Sequence, residues 1–152
     1  GEGGVSVGDA MRERAGERGV APPDRPGYPP RMSDYRLYAI RVFTLKWEES
    51  VRCYRDVIGL PPVHTDEAPG WAQFQVGAAY LGVERCDPDD DEAEALVGRF
   101  VGVSLAVDDV QAEYRRLRAR GVRFMSEPQT QPWGGTLAHF EDPDGNVITL
   151  LG

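Results

Sequence analysis

The sequence predicts an α+β domain made of two βαβββ modules, and three observations carry that expectation. Two helical patterns each stop at a glycine, Gly59 and Gly121, 62 positions apart. Each is preceded by one apolar strand-like run and followed by three shorter ones, so the order repeats although little residue identity does. Asp142-Pro143-Asp144-Gly145-Asn146 is a strong turn between the last two runs and sets a hairpin at the end of the second half.

Taken in order, Leu37–Phe43 is apolar with Arg41 inserted and reads as a strand. Trp47, Val51, Tyr54 and Ile58 follow at spacings of four, three and four, one face of a helix. Gly59 then stands where a helix C-cap needs left-handed backbone. Short strands are expected at Pro61–His64, Trp71–Val76 and Ala79–Arg85, with Gly77 turning between the last two. The second half opens with Phe100–Val107, a β-branched run. Asp108 and Asp109 supply the helix start, with Val110, Tyr114 and Leu117 on one face and Gly121 as the stop. Strands near Val122–Met125, Gly135–Glu141 and Val147–Leu151 complete the plan.

The 152 residues suffice for one well-packed domain. Residues 1–31 are rich in Gly, Pro and Arg and bury too little to offset their ordering entropy, although Val7–Gly19 could form a short helix. Residues 1–33 are therefore expected to be a disordered N-terminal extension or a remnant of production, with Met32-Ser33 a plausible native start, and residues 34–152 the folded domain. No run approaches the roughly 18 apolar residues of a membrane span, and no secretory signal core is present. Two cysteines, Cys53 and Cys86, suit a reduced cytoplasmic setting. The formal charge of −8 falls wholly on the last 121 residues, since residues 1–31 balance five arginines with five acids. Such a domain repels phosphate backbones, so neither nucleic acid nor membrane is an expected partner.

Three segments carry a family resemblance: Tyr54-Arg55-Asp56-Val57-Ile58-Gly59-Leu60, Val107-Asp108-Asp109-Val110, and Phe140-Glu141-Asp142-Pro143-Asp144-Gly145-Asn146. In this order and at these intervals the chain resembles the vicinal oxygen chelate superfamily of glyoxalases, bleomycin-resistance proteins and extradiol dioxygenases, from about Leu37 to Leu151. The resemblance implies an eight-stranded cup-shaped sheet with the helices outside. It also implies pairing of modules across chains, so a homodimer is expected. Metal-dependent members place His, an acid, His and Glu on the first, fourth, fifth and eighth strands. The matching positions here are Ala39, Gly82, Gly102 and Thr149, and none is a strong side-chain ligand. No metal and no cofactor is therefore expected.

Strand parity turns Ala39 and Arg41 toward the cup, and Ile40 and Val42 toward the helix. By the same rule Gly102, Ser104 and Thr149 point in, while Val103, Leu105, Ile148 and Leu150 pack outward. The chain has two histidines, His64 and His139. His139 and Glu84 share the inward parity and could form an acid–base couple, a weak displaced metal site, or a pocket pair with no chemistry. Arg41 could bridge to Glu84 or grip a ligand oxyanion with its planar fork. Trp133, ahead of Gly134-Gly135, reads as a lid or as a core Trp of a strand-entry turn. Trp71 and Phe43 read as core or as apolar wall. Asp87–Glu94 only superficially resembles a calcium loop, because Glu92 and Gly98 stand where glycine and a bidentate acid belong. It reads as a solvated linker. Cys53 reads as inert packing.

The expected function is metal-independent binding of a small organic ligand, by sequestration or carriage as in the bleomycin-resistance branch. The contacts expected are Arg41, Glu84, Ser104, Trp133, His139 and Thr149. The alternative is a glyoxalase-like lyase or isomerase, or a dioxygenase, using a displaced metal or an Arg41/Glu84/His139 set, with Glu84 and His139 as the catalytic candidates. A third reading is a subunit with a vestigial cup.

Overall fold

The computed structural model describes residues 35–152, and residues 39–152 form one unit. The expected helix at Val7–Gly19 and nearly all of the proposed extension lie outside the described residues. The first module is β1 (Ala39–Thr44), α1 (Trp47–Arg52) continuing as a π-helical segment (Cys53–Ile58), β2 (Pro62–Asp66), β3 (Trp71–Val76) and β4 (Ala79–Arg85). A four-residue helix, α2 (Ala93–Leu96), lies in the linker. The second module is β5 (Phe100–Ala106), α3 (Val110–Ala119), β6 (Arg123–Phe124), β7 (Gln129–Thr130), β8 (Thr136–Glu141) and β9 (Val147–Leu151).

The strands form two sheets, ordered β1-β4-β3-β2 and β5-β9-β8-β6, with β7 paired to β8. In each, the module's first strand runs parallel to its last (β1 with β4, β5 with β9) and the remaining pairs are antiparallel. The duplication seen in the sequence is thus a duplication of topology. Among the described residues there are nine strands where eight were expected, because Gln129–Thr130 adds a two-residue pairing in a segment read as loop. The first strand also begins later than expected, and Leu37 is exposed.

The helix-facing sides carry the core. Val42, Val51, Tyr54, Phe74, Leu81 and Val83 of the first module join Val110, Leu117, Phe140, Ile148 and Leu150 of the second in one buried cluster. Burying each such side chain contributes about 1.5–3 kcal/mol, which is why period-2 and period-3.6 patterns were readable in advance. Both helical stops have the predicted backbone, with φ of 88° at Gly59 and at Gly121. Asp109 caps α3 by accepting from the Ala112 N–H at 3.0 Å. The first helix differs from expectation in its last turn. It widens to π geometry, and the Gly59 N–H reaches back to the Tyr54 carbonyl at 3.2 Å.

A polar clasp joins the modules at the Asp142–Asn146 turn. Asp142 accepts from the Tyr54 hydroxyl at 2.7 Å, from the Asn146 amide side chain at 2.9 Å, and from the backbone N–H groups of Asp144 and Asn146. Asn146 in turn donates to the Phe43 carbonyl at 2.9 Å and accepts from the Gly98 N–H. Asp144 accepts from the Leu45 N–H at 2.9 Å and from the Thr44 hydroxyl. The second module's hairpin therefore holds the end of the first module's first strand. Burial, partly offset by these hydrogen bonds, raises the Asp142 carboxyl above its ordinary value. Burial first, and then Asp142, raises the Tyr54 hydroxyl as well.

Candidate functional site

The concave faces lie opposite the buried cluster, and on the first sheet strand register assembles them. Arg41 pairs with Gly82 and Phe43 with Glu84 across β1 and β4, while Gln73 and Trp71 of β3 stand opposite Gly82 and Glu84. Arg41 lies over the Phe43 ring at 5.4 Å and reaches Glu84 at 3.3 Å. Of the two sequence readings of Arg41, the structure contains the bridge to Glu84. Their side chains are 50% and 26% exposed, so the pair is worth no more than about 1 kcal/mol. Phe43 and Trp71 are both buried.

Trp71 has a consequence that its burial alone does not convey. A Cβ added at Gly82 would stand 2.2 Å from the edge of the indole, far inside van der Waals contact. The ring covers the fourth-strand position where metal-dependent relatives carry an acid, so a side chain there needs Trp71 to leave.

On the second sheet Ser104, Thr149 and His139 form one row across β5, β9 and β8. His139 Nδ1 and the Thr149 hydroxyl are 2.7 Å apart. The Phe100 ring meets the imidazole edge-on at 5.7 Å, and Phe100 is 62% exposed. Thr149 is buried, Ser104 exposed, and His139 between the two. Gly102 sits at an irregularity in the β5–β9 register with φ of 77°, which lets β5 bend there.

Glu84 and His139, considered as a pair from strand parity, are not bonded to each other. Glu84 pairs with Arg41 and His139 with Thr149. Parity set both side chains on inner faces but could not say that they belong to different sheets with nearer partners. Trp133 is 66% exposed and lies against Gly135, so it is no core residue. His64 stands opposite Gln73 on the outermost strand of the first sheet. Cys53 is partly buried and its thiol is pushed up to about 11 by burial, with Asp142 adding to the effect, which fits unreactive packing.

Two contributors were missed by sequence reasoning. Arg99, in the connection into β5, crosses the seam between modules to lie 5.6 Å over the Phe43 ring, and it donates to the Arg41 carbonyl at 3.2 Å. Phe100 follows it. The seam exists because Val97 pairs with Phe43 in a parallel bridge, a contact 54 residues apart that no local pattern announces.

The ion implied by the family resemblance does not fit these residues. Ala39, Gly82 and Gly102 offer no donor side chain, the Thr149 hydroxyl is engaged by His139, and Trp71 fills the space at Gly82. Among the described residues, no three His, Cys, Asp or Glu side chains gather closely enough to share a metal.

Similarity to known proteins agrees with this architecture. Residues 36–150 match the model of the Glyoxalase/Bleomycin resistance protein/Dioxygenase superfamily. The chain is 27% identical over 124 residues to the uncharacterized protein YraH of Bacillus subtilis, covering 76% of this chain and 96% of that one. It is 29% identical over 119 residues to lactoylglutathione lyase of Haemophilus influenzae, covering 68% and 82%. Among solved structures, TnmS3, an antibiotic binding protein from Streptomyces sp. CB03234, superposes with a TM-score of 0.65 at 29% identity, covering 79% of this chain and 97% of that one. With the strand–helix–strands order repeated in two modules, and the paired glycine stops and the Asp142–Asn146 hairpin in place, the chain belongs to the Glyoxalase/Bleomycin resistance protein/Dioxygenase superfamily.

Proposed function

We propose that this chain is a metal-independent small-molecule-binding member of its superfamily, sequestering or carrying a small organic ligand against its concave faces. The carrying observation is the Trp71 indole over Gly82, which closes a position that a metal-using relative needs open. The antibiotic-binding relative of the same fold supports the reading, as does an exposed aromatic beside a half-buried histidine on the second sheet. The proposed contacts are Arg41, Glu84, Ser104, Trp133, His139 and Thr149. A cytoplasmic homodimer is part of the proposal, and a light-scattering mass equal to one chain would count against the dimer. An acid–base mechanism through Arg41, Glu84 and His139 has less support, since Glu84 and His139 are tied to different partners.

The test is metal analysis of the purified protein beside a thermal-shift screen with Mn, Fe, Ni and Zn and with a panel of metabolites and antibiotics. Stabilisation by an organic ligand, growing with its concentration as mass action requires, is the expected result. Stoichiometric metal with a large stabilisation overturns the proposal. So does the absence of any ligand effect across the panel, which leaves the cup vestigial.

A further inference from the structure

We infer that Arg99 and Arg41 form an anion clamp at the seam between the modules, and that the ligand is a flat aromatic anion such as an aryl carboxylate. This rests on the ligand-binding reading above and deepens it.

Two guanidinium groups lie over the one Phe43 ring, at 5.4 Å and 5.6 Å from its centroid. A guanidinium held over a ring by its charge can still turn its N–H edge to a carboxylate, which that edge matches. Only one of the two charges is answered. Arg41 has Glu84, whereas Arg99 has no carboxylate within ion-pair distance among the described residues, and its guanidinium donates to the backbone carbonyl of Arg41. In a chain of net charge −8, the exposed Arg99 guanidinium shares the Phe43 ring with Arg41 and has no acid of its own, and it is there that the proposal seats the anion. The bond to the Arg41 carbonyl also orders the Arg99 side chain, lowering the entropy lost when a ligand arrives.

The aromatic part of the assignment comes from the next residue. Phe100 is 62% exposed and stands edge-on to His139 at 5.7 Å on the second sheet's concave face. Phe100, exposed on the second sheet's inner face, is the flat apolar surface that the proposal assigns to the ligand's ring. The site thus asks for charge at one end and a ring at the other.

The probes are naphthalene-2-carboxylate and its uncharged isostere naphthalene-2-carboxamide, titrated calorimetrically into the full chain. The carboxylate is expected to bind at least about tenfold more tightly than the amide, a preference that weakens with added salt. In Arg99→Gln the preference should shrink to within about threefold, and in Arg99→Lys, which keeps the charge but loses the planar fork, it should be intermediate. Circular dichroism melts show whether each variant is folded. Equal binding of the two probes, or a preference unchanged in folded Arg99→Gln, overturns the clamp and leaves the ligand-binding reading standing. If neither probe binds, the aromatic-anion assignment falls, and the ligand panel decides the broader reading separately.

Discussion

The two modules share one plan on their helix sides and differ on their concave sides. The first sheet's inner face is occupied, with its own Trp71 over Gly82, its own Arg41 over Phe43, and Arg99 reaching the same ring from the connection into β5. The second sheet's inner face is open along β5, while Val147 and Thr149 of the neighbouring strand are buried. Along β5 exposure alternates residue by residue, leaving Phe100, Gly102, Ser104 and Ala106 accessible. A duplicated fold needs its packed faces conserved in character to remain folded, but nothing in folding requires the two inner faces to match. One has become a floor and the other an uncovered wall.

Breaking the join between the modules should have the largest effect. Asp142→Ala leaves the buried Tyr54 hydroxyl without its acceptor and the Asn146 amide with only the Phe43 carbonyl, and is expected to cost about 3 kcal/mol or more in urea unfolding. Asp142→Asn sharpens the same point through pH. Because the folded carboxyl is raised, the native state holds its proton more tightly than the unfolded chain does. The stability contributed by Asp142 is then full below the unfolded value of 3.8 and is lost as pH rises through the higher folded value. The stability gap between wild type and Asp142→Asn should therefore be widest in acid and narrow toward neutrality. A gap that widens with rising pH would contradict the raised carboxyl.

A pair of glycine substitutions separates the filled face from the open one. Gly82→Ala drives a methyl into the Trp71 ring and should cost about 1–3 kcal/mol through overpacking, with Gly82→Asn worse. At Gly102 the nearest atom to an added Cβ is 3.9 Å away, so space is available and only the φ of 77° resists. There alanine should cost about 1–2 kcal/mol, and asparagine, which tolerates left-handed backbone, should cost less. If asparagine ranks the same way at both sites in thermal melts, the contrast between the faces is wrong.

Smaller effects are expected at the polar contacts. Thr149→Val removes the 2.7 Å partner of His139 and should cost about 1 kcal/mol, with a larger loss of ligand-induced stabilisation than of intrinsic stability. Arg41→Gln breaks only a half-exposed pair and should change unfolding free energy by less than about 1 kcal/mol.

What was legible in the sequence follows the same division. Periodicity announced the helix sides because burial acts on every second or every third-and-fourth residue, and Val42, Leu117 and Ile148 were assigned correctly on that basis. Gly59, Gly121 and the Asp142–Asn146 turn were readable because each needs particular backbone or side-chain chemistry. The inner faces were legible only as directions. That Trp71 settles on Gly82 depends on the β3–β4 register and a diagonal reach, and that Arg99 crosses to Phe43 depends on a contact between modules. Asp142 was legible as a turn residue and not as a buried hub, since its partner Tyr54 lies 88 residues away. The π-helical widening before Gly59 had no pattern of its own.

The clasp at the end of the second half has a further consequence for how such a chain can be cut or rearranged. The Thr44 hydroxyl and the Leu45 N–H donate to Asp144, and the Phe43 carbonyl accepts from Asn146, residues synthesised about a hundred positions later. A ribosome releasing the first half alone would expose those groups to water, and two halves made as separate polypeptides would have to meet before either could finish. The two modules are joined unequally at this clasp: one supplies the socket, the other the plug.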